Sequence, residues 1–202
     1  MNSSPLIVSL NGSPSATSRT QRLLEHLAAR LSAQAYRLET VHVRELPAEA
    51  LLHAAAGNER VARALGQVER AAVVVIGTPI YKAAYSGLLK TFLDLLPRDG
   101  LRNKIVLPLA SGGSAAHTLA LDYALRPVLA ALGAQHVLPS IFAVESQVRW
   151  SEDSGLDLDA DLRSRLNEGV ERITDALPPA ALVAPAVPPS LKLVNIAALQ
   201  RC

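Results

Sequence analysis

Two periods of apolar spacing alternate along this chain. The runs Leu6–Leu10, Ala72–Ile76 and Ile105–Leu109 are rich in Val, Ile and Leu and carry no charge, as strands buried on both faces do. Tyr36–Val43 alternates more loosely as a second strand, and Val137–Ala143 reads as the last. Helical spacing fills the intervals. Leu23, Leu24, Leu27 and Leu31 mark a helix over about Arg19–Leu31, and Val61, Leu65 and Val68 one over Glu59–Glu69. Further helices are predicted over Ser86–Leu96 (ended by Pro97), Ala115–Leu132 and Ala160–Leu177. Residues 44–58 show no clear period, and Glu145–Asp159 reads as an acidic loop.

Strands alternating with helices predict an α/β fold, a parallel sheet wound on both faces with right-handed crossovers. Five such units fit a doubly wound five-stranded sheet of order 2-1-3-4-5, strands counted along the chain. Strands 1, 3 and 4 are then neighbours. The loops after them, Asn11–Thr20, the segment following Ile76, and Ser111–Ser114, would share one rim, where open α/β sheets hold ligands.

Residues 1–177 are expected to form one domain. The Pro- and Ala-rich segment 178–202, with Pro178, Pro179, Pro185, Pro188 and Pro189, reads as a disordered tail in preference to an arm clasping another subunit. With 20 basic and 18 acidic residues the formal charge is only +2, and no basic stripe or aromatic platform suggests nucleic-acid binding. No apolar run approaches the ~20 residues needed to span a bilayer, and the start has no signal-peptide pattern, so a cytoplasmic protein is expected. The single cysteine, Cys202, leaves no internal disulfide. His26, His42, His53 and His136 lack ligand spacing, so no metal site is expected.

The three loops carry the chemistry. Asn11-Gly12-Ser13-Pro14-Ser15-Ala16-Thr17-Ser18-Arg19-Thr20 offers a flexible backbone, hydroxyls and a guanidinium at a helix start, which suits an anion. Its spacing matches neither a dinucleotide fingerprint nor a P-loop. A hydroxyl cluster before a helix is ordinarily only a cap, but beside the other two loops it suits a terminal phosphate monoester. Thr78-Pro79-Ile80-Tyr81 presents an aromatic at a strand end, and Ser111-Gly112-Gly113 offers free backbone donors. Together they predict a phosphorylated aromatic cofactor, flavin mononucleotide (FMN). Pro127 inside the last-but-one helix removes a hydrogen bond to the Tyr123 carbonyl and crowds it. Either a one-residue π-type bulge near Tyr123 or a plain kink relieves this.

These residues resemble the NADPH-dependent FMN reductase family of the flavodoxin-like superfamily, and within it the reductase component of two-component alkanesulfonate monooxygenases. The resemblance spans roughly Leu6–Arg149. It is densest in Gly12-Ser13-Pro14, in Thr78–Gly87, in Lys90-Thr91-Phe92-Leu93-Asp94-Leu95-Leu96-Pro97, and from Gly112-Gly113 to Asp122-Tyr123-Ala124-Leu125. It implies a flavodoxin-like fold and hydride transfer from the NADPH nicotinamide C4 to flavin N5, with FMN bound loosely as a substrate and no catalytic side chain. Reduced flavin would pass to a partner monooxygenase. By position it assigns the FMN phosphate to Ser13, Ser18, Arg19 and Thr20, the ribityl chain and ring to Pro79, Ile80 and Tyr81, and the pyrimidine edge to Ser111, Gly112 and Gly113, with Ser15 also counted among the cofactor-binding residues. Lys82 would either face solvent or meet NADPH phosphates, and His117 reads as a surface residue. Many relatives place an arginine where this chain has Ser15, which leaves Arg19 as the cation. The resemblance also implies a π-bulge at Tyr123 on the interface of a homotetramer. Two other readings share the fold: an electron carrier that retains FMN, against which the near-neutral charge speaks, and a quinone or azo-dye reductase.

Overall fold

The computed structural model describes residues 4–177. The tail predicted to be disordered lies outside them.

The described residues form nine strands and six α-helices, the expected alternation being interrupted by two antiparallel hairpins. Parallel strands β1 (Leu6–Asn11), β2 (Arg37–His42), β3 (Val73–Tyr81) and β5 (Ile105–Gly112) form the body of the sheet. β6 (His136–Val137) and β7 (Ile141–Val144) lie end to end along the far side of β5, giving the order β2-β1-β3-β5-β6/β7. The doubly wound order predicted for five strands is therefore present, with its fifth strand in two pieces.

That division has a local cause. β6 pairs Ile105 with His136, an offset of 31, whereas β7 pairs Leu109 with Ile141, an offset of 32. One extra residue sits between them, a bulge over 138–140, where Pro139 has no N–H for the ladder. Ile105 donates to Ala72 on the β3 side and Val106 accepts from Leu138 on the other, so by alternation Pro108 faces the bulge. Both missing donors thus fall in one gap.

Two helical layers cover the sheet. α1 (Arg19–Ser32) and α6 (Ala160–Ala176) bury Leu23, Leu24, Leu27, Leu162, Leu166 and Ile173 against Ile7, Val73, Val75, Leu107 and Leu109. On the opposite face α2 (Ala48–Leu52), α3 (Glu59–Arg70), α4 (Gly87–Leu93) and α5 (Arg126–Ala131) cover Val8, Leu10, Val74, Ile76 and Val106. Alternate residues of each central strand enter opposite cores, which is why these runs are apolar throughout. Phe92 of α4, fully buried, is among the largest side chains in the second core.

Three expectations need correction. The unassigned residues 44–58 contain the short α2. The acidic loop Glu145–Asp159 is instead largely an antiparallel hairpin, β8 (Val148–Ser151) and β9 (Gly155–Leu158), whose four-residue strands are too short to show a pattern although Val148 and Leu158 enter the α1–α6 core. The helix expected over Ala115–Leu132 is broken into a 3-10 turn at Ala115–His117, a π-helical segment at Leu121–Leu125, and α5. Arg126 N–H reaches back five residues to the Leu121 carbonyl. The bulge therefore stands one turn ahead of Pro127, the place where a missing donor demands it.

Candidate active site

The carboxyl ends of β1, β3 and β5 meet in one cleft of about 470 Å3. A second cavity, about 500 Å3, lies at the opposite edge of the sheet between Leu65, Leu95, Leu96 and Lys104, and shares no residue with the first. The carboxyl-edge cleft gathers all three predicted loops and sits where open α/β sheets bind ligands.

The first loop supplies Ser15, Thr17, Ser18 and Arg19 to the cleft wall. Ser18 caps α1 by accepting from Gln21 N–H (3.1 Å), which puts the amino end of a fourteen-residue helix at the cleft. Ser13 and Thr20, assigned to phosphate by the resemblance, do not line it. Ser13 is fully buried, donating its N–H to Asn11 Oδ1 (2.9 Å) and accepting from Ser15 N–H (3.3 Å). The Thr20 and Ser111 hydroxyls bond to each other at 2.7 Å, both buried, and tie α1 to the end of β5. These two residues shape the loop from behind.

The second loop contributes Pro79, Ile80 and Tyr81, with Tyr81 half exposed. β3 runs three residues beyond Thr78 and folds back on β4 (Ala84–Tyr85) through a two-residue turn. Both turn residues, Lys82 and Ala83, have positive φ (49° and 64°), as a type I′ hairpin requires. Neither is glycine or asparagine, so the turn carries strain of the kind found at functional loops. Lys82 does not line the cleft. Behind the turn, burial holds the Tyr85 phenol above its ordinary pKa, so it stays protonated.

A buried network joins the first two loops. Gly12 N–H donates to Gly77 C=O (2.8 Å), and Ser86 Oγ donates to Gly12 C=O (2.6 Å). Ser86 also caps α4 by accepting from Leu89 N–H (3.1 Å), and its own N–H donates to Thr78 Oγ1 (2.9 Å).

The third loop lines the floor with Ser111, Gly112 and Gly113. A β-carbon on Gly112 would stand 2.9 Å from Phe142 Cζ, so the packing demands glycine there. One on Gly113 would meet nothing within 4 Å, so only the space in the cleft is at stake.

Three lining residues escaped the sequence reading: Thr17, Glu145 and Trp150. Thr17 stood unremarked among the hydroxyls of the first loop. Glu145 reaches the cleft because it directly follows β7, whose Val144 pairs with Gly112, and Trp150 because it stands on β8 with its ring against Arg22 of α1. Arg19 Nη1 meets Glu145 Oε1 at 2.8 Å, and the Arg22 guanidinium lies 3.8 Å from the centre of the Trp150 ring. Among the described residues no cluster of His, Cys, Asp or Glu could hold a metal ion, and no helix is long and apolar enough to cross a membrane.

Comparison with known proteins identifies the family. Residues 5–149 match the family model for NADPH-dependent FMN reductase. The chain is 47% identical to an FMN reductase (NADPH) of Pseudomonas putida, over 85% of this chain and 88% of that one. It is 40% identical to the FMN reductase (NADPH) of Escherichia coli, over 85% and 89% respectively. The apo structure of an NADH:FMN oxidoreductase, EmoB, superposes with a TM-score of 0.79 at 40% identity, covering 87% of this chain and 91% of that one. On the family match over residues 5–149 and the identity to the two reductases, the chain belongs to the NADPH-dependent FMN reductase family of oxidoreductases.

Proposed function

We propose that this enzyme binds FMN in the carboxyl-edge cleft, reduces it with NADPH, and releases the reduced flavin to a separate flavin-dependent monooxygenase. The observation that carries the reading is the polarity of the cleft. One end offers hydroxyls, a helix amino terminus and a single arginine; the other offers Gly112-Gly113 amides beside Pro79, Ile80 and Tyr81. This fits a molecule with an anionic tail and a flat, hydrogen-bonding ring.

When bound, NADPH and FMN supply the hydride chemistry. Ser15, Ser18 and Arg19 hold the phosphate, with Ser13 and Thr20 fixing the loop behind it. Pro79, Ile80 and Tyr81 orient the ring, and backbone donors at Ser111–Gly113 face the edge where negative charge accumulates. Lys82, exposed at the tip of the β3–β4 turn and outside the cleft lining, would meet the NADPH phosphates only as they approach from solvent. No side chain need act as acid or base in hydride transfer; placement is most of the catalysis.

The test is NADPH oxidation with and without added FMN. Turnover that requires added FMN, by protein that loses the dye on a desalting column, is the expected result. Protein that keeps stoichiometric flavin, or oxidises NADPH at full rate without added FMN, would instead be a carrier or a tightly loaded reductase.

The consumer we favour is an alkanesulfonate monooxygenase, on the likeness of Thr78–Gly87 to reductases of such systems. Assembly belongs to the same reading. Tyr123, on the π-helical segment next to β4, is 79% exposed, and Leu119, two residues ahead of that segment, is 58% exposed. Two large apolar side chains exposed beside an active site fit a subunit interface, and a homotetramer is the proposed state. Tyr123→Ala is expected to shift the particle mass in light scattering toward dimers and to make the protein retain more flavin. An unchanged tetramer with unchanged flavin release would refute this role.

A further inference from the structure

Among the described residues, Arg19 is the only cation lining the cleft and Glu145 the only acid, and they are bonded to each other. The two side chains are 46% and 54% exposed, so packing does not force the contact. Their backbones differ in freedom to adjust. Glu145 opens a 3-10 turn, Glu145–Gln147, that is braced on several sides. Gln147 Oε1 accepts from Val144 N–H (3.1 Å) and Arg165 Nη2 (3.4 Å), and its carbonyl accepts from Asp159 N–H (3.0 Å). Arg165 Nη1 donates to the Phe142 carbonyl just before the turn (2.7 Å). The Glu145 carboxylate is thus presented from a fixed turn, whereas Arg19 is a long, half-exposed side chain free to change rotamer.

We infer that Glu145 is a built-in competitor for the flavin phosphate: it holds the Arg19 guanidinium, an incoming phosphate monoester must displace it, and its return promotes release. The inference rests on the reading of the cleft as the FMN site. It supplies a physical basis for weak binding of a flavin handled as substrate. A phosphate dianion is the stronger partner for guanidinium, so FMN still binds, but at the expense of an existing ion pair. Exposed pairs of this kind shift an equilibrium by up to about fivefold.

The chain's only tryptophan, Trp150, lies in the cleft wall, so its fluorescence quenching reports flavin binding. FMN and riboflavin, which lacks the phosphate, are titrated into the wild type, Glu145→Gln, Arg19→Ala and the double variant. Glu145→Gln is expected to tighten FMN about three- to fivefold, to leave riboflavin unchanged, and to change FMN affinity less than twofold once Arg19 is alanine. If Glu145→Gln weakened FMN, left it unaltered, or shifted riboflavin equally, the competitor role would be overturned. A wild type that binds FMN and riboflavin alike would sink the phosphate reading of the cleft and the competitor with it. One that prefers FMN while Glu145→Gln has no effect would sink the competitor alone.

Discussion

Ser86→Ala is expected to lower the unfolding free energy by about 3 kcal/mol and to weaken FMN binding, although Ser86 does not line the cleft. Its hydroxyl does two jobs. Accepting from Leu89 N–H it caps α4, and loss of such a cap costs about 1 kcal/mol. Donating to Gly12 C=O it satisfies a buried carbonyl, and leaving that group unpaired costs about 1–3 kcal/mol more. In a chain of this size the sum corresponds to a fall in Tm of roughly 6–12 °C. The affinity loss follows because Gly12 roots the loop that carries Ser15, Ser18 and Arg19. Thermal unfolding and flavin titration measure the two effects. Ser86→Thr, which keeps the hydroxyl, should recover most of both. A Ser86→Ala protein within about 0.5 kcal/mol of wild type, inside the range of an ordinary surface change, would show the network to be incidental.

Gly12→Ala should cost about 2 kcal/mol and raise the Kd for FMN tenfold or more. The added β-carbon would lie 2.6 Å from Leu89 Cβ and 3.3 Å from the Gly77 carbonyl oxygen. Neither is the free end of a flexible side chain, so the strain must move backbone, and overpacking of this kind costs about 1–3 kcal/mol. Gly12 also bonds Gly77 and Ser86, so its displacement drags the phosphate end of the cleft with it. Gly113→Ala is the informative contrast. Its β-carbon meets no protein atom, so stability should hold within about 0.5 kcal/mol while FMN affinity falls. Equal loss of stability in the two variants would contradict this account.

Leu6–Leu10, Ala72–Ile76 and Ile105–Leu109 were readable as strands because burial on both faces removes polar residues from the run. Adjacency of those strands is enough to bring Ser18, Tyr81 and Gly112 to one rim, so the outline of the cleft was legible too. β3 and β5 extend several residues past their apolar runs, through Gly77-Thr78-Pro79 and Ala110-Ser111, because pairing with each other continues where side-chain pattern stops. The β8–β9 hairpin was hidden because each strand is only four residues long and polar or charged residues surround its few apolar ones. The pairing of Arg19 with Glu145 spans 126 residues and leaves no trace in local spacing. Burial of loop hydroxyls is not readable from residue type: Ser13 Oγ accepts from Ser15 N–H, and the Thr20 hydroxyl bonds that of Ser111, 91 residues away.

The extra residue near Pro139 has an effect beyond its strand. In a pleated ribbon a shift of one position exchanges the two sides. Val137 and Phe142 both turn toward the α4–α5 layer, while Ile141 and Ala143 turn toward α1 and α6, which unbroken alternation from Val137 would have reversed. Phe142 comes to rest under Gly112 for this reason. A ladder that ran on from Val137 without the bulge would pair Ile141 with Ala110 and put isoleucine where the phenyl ring now supports the cleft, so the depth of the cleft is decided by one unpaired residue at the margin of the sheet.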